Sequence, residues 1–325
     1  MFFMSSNNFK QLIFSMLTAI VAGTVIALSS IFIFSYLTNP PVVSSQIPHL
    51  KEEDEEDPTF TSRFSRVMIY SNDDNRAIIE SAKNSLPTAG TKPVSASGYI
   101  VMNMESNTTI LEKNAETLMP IASITKLITA VVARKLLDQD AYITISSSVL
   151  GIYGNEGRLK QGEKLRIKEL LYPLLMVSSN DASEALAQAY PGGRQKFIRE
   201  MNSWVNSIGA YRTYFKDASG LSGSNVSTAH DLAVITQWIL KNDPEIFDIT
   251  LTKAKTIRTH TWINPTHFLN LTAYAGGKNG YTPEANRTSV ALFKLGKQKR
   301  LFGVFLLGSS ARDNDTLDLL DEAVR

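Results

Sequence analysis

Pro120-Ile121-Ala122-Ser123-Ile124-Thr125-Lys126-Leu127 opens a run that continues Ile128-Thr129-Ala130-Val131-Val132-Ala133-Arg134-Lys135-Leu136-Leu137. The run reads as an apolar helix with a serine and a lysine three residues apart at its start. Positions i and i+3 share a helix face, so the Lys126 amine can reach the Ser123 hydroxyl. A serine needs a base to become a nucleophile, and a lysine serves if it is neutral. The competing reading of Ser123 is a plain helix N-cap. A capping box wants Glu or Gln at the third helical position. Lys126 stands there instead, a cation at the positive end of the helix dipole. The same field, together with burial, favours the neutral amine. The position suits a base better than a structural cation.

Composition excludes several chemistries. The net charge of +2 is too small to suggest a nucleic-acid partner. With no cysteine there is no disulfide, thiolate nucleophile or cysteine metal site. The four histidines (His49, His230, His260 and His267) are scattered, without the spacing of a zinc site, and are expected to be structural. No Gly-x-Gly-x-x-Gly or Walker loop is present. Neither a cofactor nor a metal is expected.

The chain divides by composition. Residues 1–10 precede Gln11–Leu37, 27 residues without a charge, enough for a bilayer core that needs about 20. The stretch is longer than a signal-peptide apolar core and lacks an Ala-x-Ala exit. It is expected to be an uncleaved transmembrane signal anchor, with Lys10 and the amino terminus on the cytoplasmic side. The lipid bilayer is thus an expected partner, and the remainder an extracytoplasmic, membrane-attached domain. Residues 38–93 read as a tether, with Pro40-Pro41 and the acidic block 52–57, and room for a short helix at 76–86. Residues 94–325 read as the folded domain. Strands are expected at 97–104 and 108–112, helices through the middle, one strand at 257–262, strands at 288–294 and 300–307, and a terminal helix from 314. Strands at both ends and helices between them imply an α+β fold, an antiparallel sheet of about five strands flanked by helices.

Three polar clusters follow in order: Ser123-x-x-Lys126, Ser178-x-Asn180 and Lys278-x-Gly280. Taken alone, residues 178–181 also read as a capped inter-helix turn. Likewise Asn279-Gly280 reads alone as a hairpin turn. The ordered set resembles the D-alanyl-D-alanine carboxypeptidases, the low-molecular-weight penicillin-binding proteins related to class A β-lactamases. The likeness also takes in PIASITKL, LKQGEKLRIKELLYPLLMVSSNDASEALA, Met201-Asn202, DASGLS, STAHDLA and GGKNGYT, and spans about residues 97–325. It implies a β-lactamase/transpeptidase-like fold and assigns each site residue a role. Ser123 would be the nucleophile and Lys126 the general base. Ser178 would relay a proton to the leaving D-alanine. Asn180 would hold the substrate amide and steady Lys126, and Lys278 would attract the substrate carboxylate. The amides of Ser123 and Tyr281 would form the oxyanion hole, and Gly280 would leave room for substrate along the strand.

The implied reaction removes the terminal D-alanine from peptidoglycan stem pentapeptides, with β-lactam antibiotics as inhibitors. A D,D-endopeptidase acting on cross-links would use the same residues, and a non-catalytic peptidoglycan-binding module is the reading from another class. A class A β-lactamase is disfavoured, because no Glu-x-x-Leu-Asn pattern lies between Ser178 and Lys278. Asn279 departs from the family, which carries threonine or serine there. The β-rich C-terminal domain and C-terminal membrane helix of many relatives are not expected after the terminal helix. The N-terminal anchor is expected to take over attachment.

Overall fold

The computed structural model describes residues 72–84 and 93–325. The apolar segment 11–37 and the acidic block lie outside the described residues. Among the described residues no helix is long and apolar enough to cross a membrane.

The elements run α1 (Asn72–Asn84), β1 (Gly98–Asn103), β2 (Thr108–Lys113), β3 (Met119–Pro120), a 3₁₀ turn (Ala122–Ile124) and α2 (Thr125–Leu136). Then follow β4 (Tyr142–Thr144), α3 (Ser147–Leu150), β5 (Lys164–Arg166), α4 (Ile167–Met176), α5 (Asn180–Ala189) and α6 (Gly193–Ser207). After β6 (Val226–Ser227) come α7 (Ala229–Asn242), α8 (Glu245–Thr250), the hairpin β7 (Ala254–Ile257) and β8 (His260–Ile263), and a 3₁₀ turn (His267–Asn270). The chain closes with β9 (Tyr274–Thr282), β10 (Asn286–Leu295), β11 (Arg300–Ser309) and α9 (Arg312–Ala323).

Five strands form one antiparallel sheet in the order β2-β1-β11-β10-β9. The first and last thirds of the sequence therefore meet at the β1–β11 pair, where Val101 lies opposite Val304. Successive residues of a strand face opposite sides, and here both sides are apolar. Ile100, Val290, Leu292, Phe305 and Leu307 enter the larger core, under the central helices. Val101, Ala291, Phe293, Val304 and Leu306 enter a second core beneath α1 and α9. The result is a three-layer α+β domain.

Two local expectations change. Residues 257–262 are not one strand. Arg258, at φ 55°, turns the chain between β7 and β8. The turn falls inside the expected run, where no glycine or proline marks it. Within the segment read as tether, α1 buries Ile79 and Ala82 in the second core, and Lys83 pairs with Asp318 at 2.8 Å.

Candidate active site

Ser123 does not begin α2. It sits in the 3₁₀ turn just before it, and no side chain caps that helix. The turn is forced into shape from three sides. The Ile121 amide donates to the Asn225 carbonyl at 3.0 Å, and Thr288 Oγ1 donates to the Ile121 carbonyl at 3.0 Å. Gly220, at φ +86°, passes so close that a Cβ there would fall 2.0 Å from the Ala122 carbonyl oxygen. Ala122 is held at φ 48°, a left-handed conformation costly for a residue with a Cβ. Ser178 has the same anomaly at φ 60°. Two such outliers, one next to Ser123 and one at Ser178, mark a backbone shaped by its surroundings.

Lys126 is fully buried. Its Nζ lies 3.0 Å from Ser123 Oγ, 2.7 Å from Asn180 Oδ1 and 2.5 Å from the Ser219 carbonyl oxygen. The carbonyl and the amide oxygen only accept hydrogen bonds. A neutral amine has two N–H bonds, which those acceptors use, and one lone pair, which is left for the Ser123 hydroxyl. Burial, and then the charge of Lys278, push the Lys126 pKa well below its ordinary value, against an opposing pull from Asp217 and Asp181. Burial thus dominates, ahead of the second cation; the helix end is not among the causes.

Around this centre α4, α5 and a loop supply the helical wall. Ser178 and Ser179 divide the work at the α4–α5 junction. Ser179 caps α5, its Oγ accepting from the Ala182 amide at 2.9 Å. Ser178 Oγ instead accepts from Lys278 Nζ at 3.0 Å. Asn180 Nδ2 donates to the Tyr153 carbonyl at 2.8 Å, which fixes the amide so that its oxygen faces Lys126. Asp181 accepts from the amides of Gly157 and Leu159, each at 3.2 Å, and ties the loop to the start of α5.

The opposite wall is β9, the free edge of the sheet. Lys278-Asn279-Gly280 lies within this strand, not in a turn. A Cβ at Gly280 would come 2.9 Å from the Ser123 amide nitrogen, so the strand passes directly beside the Ser123 backbone. Lys278 is buried, and burial followed by the Arg312 guanidinium brings its pKa down to about 7. Its Nζ spans the cleft to Ser178 and also donates to the Asn279 carbonyl at 2.7 Å. Asn279 Oδ1 accepts from Ser289 Oγ on β10 at 3.2 Å. Tyr281 follows, its side chain exposed.

One cleft therefore brings together Ser123, Lys126, Ser178, Asn180, Lys278, Asn279, Gly280 and Tyr281. The matching family model is described as D-alanyl-D-alanine carboxypeptidase and covers residues 85–309. The chain belongs to this family. A D-alanyl-D-alanine carboxypeptidase of Streptomyces sp. (strain K15) is 33% identical over 262 residues, which are 72% of this chain and 89% of that protein. A D-alanyl-D-alanine endopeptidase of Escherichia coli (strain K12) is 35% identical over 196 residues, 58% of this chain and 60% of that protein. The crystal structure of a D-alanyl-D-alanine carboxypeptidase from Mycobacterium tuberculosis H37Rv superposes with a TM-score of 0.65 at 26% identity. That match covers 73% of this chain and 96% of the other.

Several site residues were not singled out from the sequence. Asp217 holds the loop that carries the Ser219 carbonyl, accepting from the amides of Ser219, Gly220 and Ser222 at 2.6–2.7 Å. Asp181, Tyr153 and Arg312 act across sequence gaps with no motif to announce them. The DASGLS match was the one available signal, and it carried no role. Two of the histidines have acidic partners: His260 pairs with Glu163 at 2.8 Å, and His267 with Asp313 at 3.0 Å.

Proposed function

We propose that this protein is a serine-type D-alanyl-D-alanine carboxypeptidase, releasing the terminal D-alanine of peptidoglycan stem pentapeptides through an acyl-enzyme. The observation that carries this reading is the placement of Lys126 Nζ between Ser123 Oγ and two pure acceptors. Lys126 takes the Ser123 proton, and Oγ attacks the carbonyl of the penultimate D-alanine. The developing oxyanion is met by the amides of Ser123 and Tyr281, where one such donor is worth about 10²–10³ in rate. The proton passes through Ser178 to the departing amine. Lys278, on which the charge of Arg312 also acts, attracts the terminal carboxylate. Asn279, its oxygen engaged by Ser289, offers its amide N–H bonds where the family presents a hydroxyl. Water then opens the ester, freeing the shortened peptide. β-Lactams acylate the same serine.

The membrane attachment belongs to this proposal. Residues 11–37 anchor the chain in a bacterial cell membrane as a single pass, with the catalytic domain outside, where peptidoglycan lies. Support comes from the uncharged run and from Lys10 before it.

Labelled penicillin, with an assay of D-alanine release from a pentapeptide, tests the chemistry. The wild type is expected to label and to release D-alanine, and Ser123→Ala to do neither. Absence of labelling in the wild type would sink the catalytic reading. The similarity to a protein named as an endopeptidase keeps one second reading in play. Cleavage of a cross-linked muropeptide dimer faster than of the pentapeptide would establish it.

A further inference from the structure

Gly280 on β9 and Thr288 on β10 stand directly opposite each other. Opposed residues of an antiparallel pair share one face of the sheet, and this face is turned toward Ser123. A Cβ at Gly280 would meet Thr288 Oγ1 at 2.5 Å, the Ser123 amide nitrogen at 2.9 Å and the Ala122 Cβ at 3.0 Å. The space a side chain would fill at Gly280 is thus taken by the chain's own atoms. Through it the buried Thr288 hydroxyl passes over the edge strand and donates to the Ile121 carbonyl at 3.0 Å. Among the described residues no other hydrogen bond joins β9 or β10 to residues 121–124. The β10–β11 register shifts at the same place, between Arg287 and Ser289, and Gly308 on β11 takes φ +67°. Such bulges re-aim side chains and increase the local twist. The irregularity falls at the residue whose hydroxyl reaches out of the sheet.

We propose that Thr288 is a positioning residue for the oxyanion hole. The inference rests on the acyl-transfer chemistry at Ser123 proposed above, with the amides of Ser123 and Tyr281 as the two donors. Those donors belong to separate elements. One is in the 3₁₀ turn and the other is in β9. Both serve one oxygen only if turn and strand keep a fixed separation, because each donor must lie about 2.7–3.1 Å from the oxyanion. The Ile121 carbonyl stands two residues before Ser123, and Thr288 lies opposite the residue next to Tyr281. Their hydrogen bond spans the two elements beside both donors and sets that separation. The Lys278–Ser178 contact ties β9 to the α4–α5 junction, not to the turn. A misplacement of about 1 Å can cost about a hundredfold in rate, so the loss of one hydroxyl outside the reacting atoms is felt in the chemical step.

Rapid-mixing labelling with a fluorescent penicillin separates the affinity of the first complex from the acylation rate constant. In Thr288→Val and Thr288→Ala the rate constant is expected to fall about tenfold to a hundredfold, with the first affinity within about threefold of wild type. Thr288→Ser keeps the donor and should hold the rate constant to within about threefold. A peptidyl boronic acid, whose tetrahedral adduct on Ser123 presents an oxygen to the same two amides, should lose affinity in step with the rate constant. A hydroxyl with a merely structural role would lower the melting temperature and the labelled fraction and leave the rate constant of the labelled protein unchanged. That result in either variant overturns the proposal, as does a serine variant as slow as the alanine one. Thr288→Ala removes the hydroxyl without adding a methyl, and it decides the matter if Thr288→Val does not fold. Labelling of the wild type without D-alanine release from a pentapeptide defeats the carboxypeptidase reading alone, because the penicillin series still reports on Thr288. Absence of labelling in the wild type overturns both.

Discussion

Lys126 has exchanged the hydration of an ammonium for three fixed partners and a dry site. The base role proposed for it needs a neutral amine, and burial, with Lys278 nearby, pushes the pKa in that direction. In the role proposed for it, Lys278 faces the opposite demand, since it would attract a carboxylate only while charged. In the free enzyme it loses its proton through about pH 7. For a peptide with a free C-terminus, kcat/KM should therefore fall as pH rises through about 7. A bound carboxylate favours the ammonium, so the matching limb in kcat should lie at higher pH. Coincident limbs in a pH series of both constants would refute the assignment. Gly220 is the residue on which the Ser123 turn leans. Gly220→Ala needs a left-handed alanine and drives its Cβ to 2.0 Å from the Ala122 carbonyl oxygen. A loss of about 1–3 kcal/mol of stability is expected from the strain, with a much slower penicillin acylation. Unchanged acylation would show that the turn does not depend on this contact.

The loop 153–159 and the start of α5 work as one element. Asp181 collects the amides of Gly157, Leu159 and Ala182 and the Ser179 hydroxyl. Asp181→Asn loses an acceptor in a buried cluster, which should cost about 1–3 kcal/mol in a thermal or urea melt. It also removes a charge that holds the Lys126 pKa up. The acid limb of acylation should then move to lower pH, and a shift the other way would contradict the sign. These couplings explain what could be read from the sequence and what could not. Ser123 and Lys126 announce themselves through spacing within one turn, whereas Ser178 and Asn180 gained a role only from the ordered set of motifs that resembles the family. Asp181 and Tyr153 act across distant segments, and no local pattern encodes such a contact. Asn279-Gly280 was ambiguous for a related reason. The dipeptide favours a turn, but pairing with β10 holds it extended in β9.

For the whole molecule, the site is a cost carried by the rest of the fold. The unfolded chain keeps Lys278 protonated to about 10.5, and the folded protein releases that proton at about 7. Between these values the unfolded state binds more protons, so the contribution of this group to stability rises with pH. Below about 7 both states hold the proton and the full cost is present. Lys278→Met should therefore raise the melting temperature at pH 6, with the gain fading toward pH 10, while it removes turnover. A gain independent of pH would mean that packing, not charge, is responsible. The two apolar cores, one on each face of the sheet, supply the stability that makes such a site tolerable.

The division between sequence and tertiary structure follows from range. The sequence by itself determined the order of the motifs, the α+β class, the antiparallel sheet and the pairing of Ser123 with Lys126, because periodicity and i, i+3 spacing are local. It also specified the uncharged run 11–37, on which the proposed anchoring rests. Only the tertiary structure decided that Ser123 stands in a strained 3₁₀ turn, that Ser179 rather than Ser178 caps α5, and that Lys278 reaches across to Ser178. The lowered pKa of Lys126 was decided there too. Burial and the field of Lys278 set it, and both arise only when β9, α2 and α5 close around one cleft.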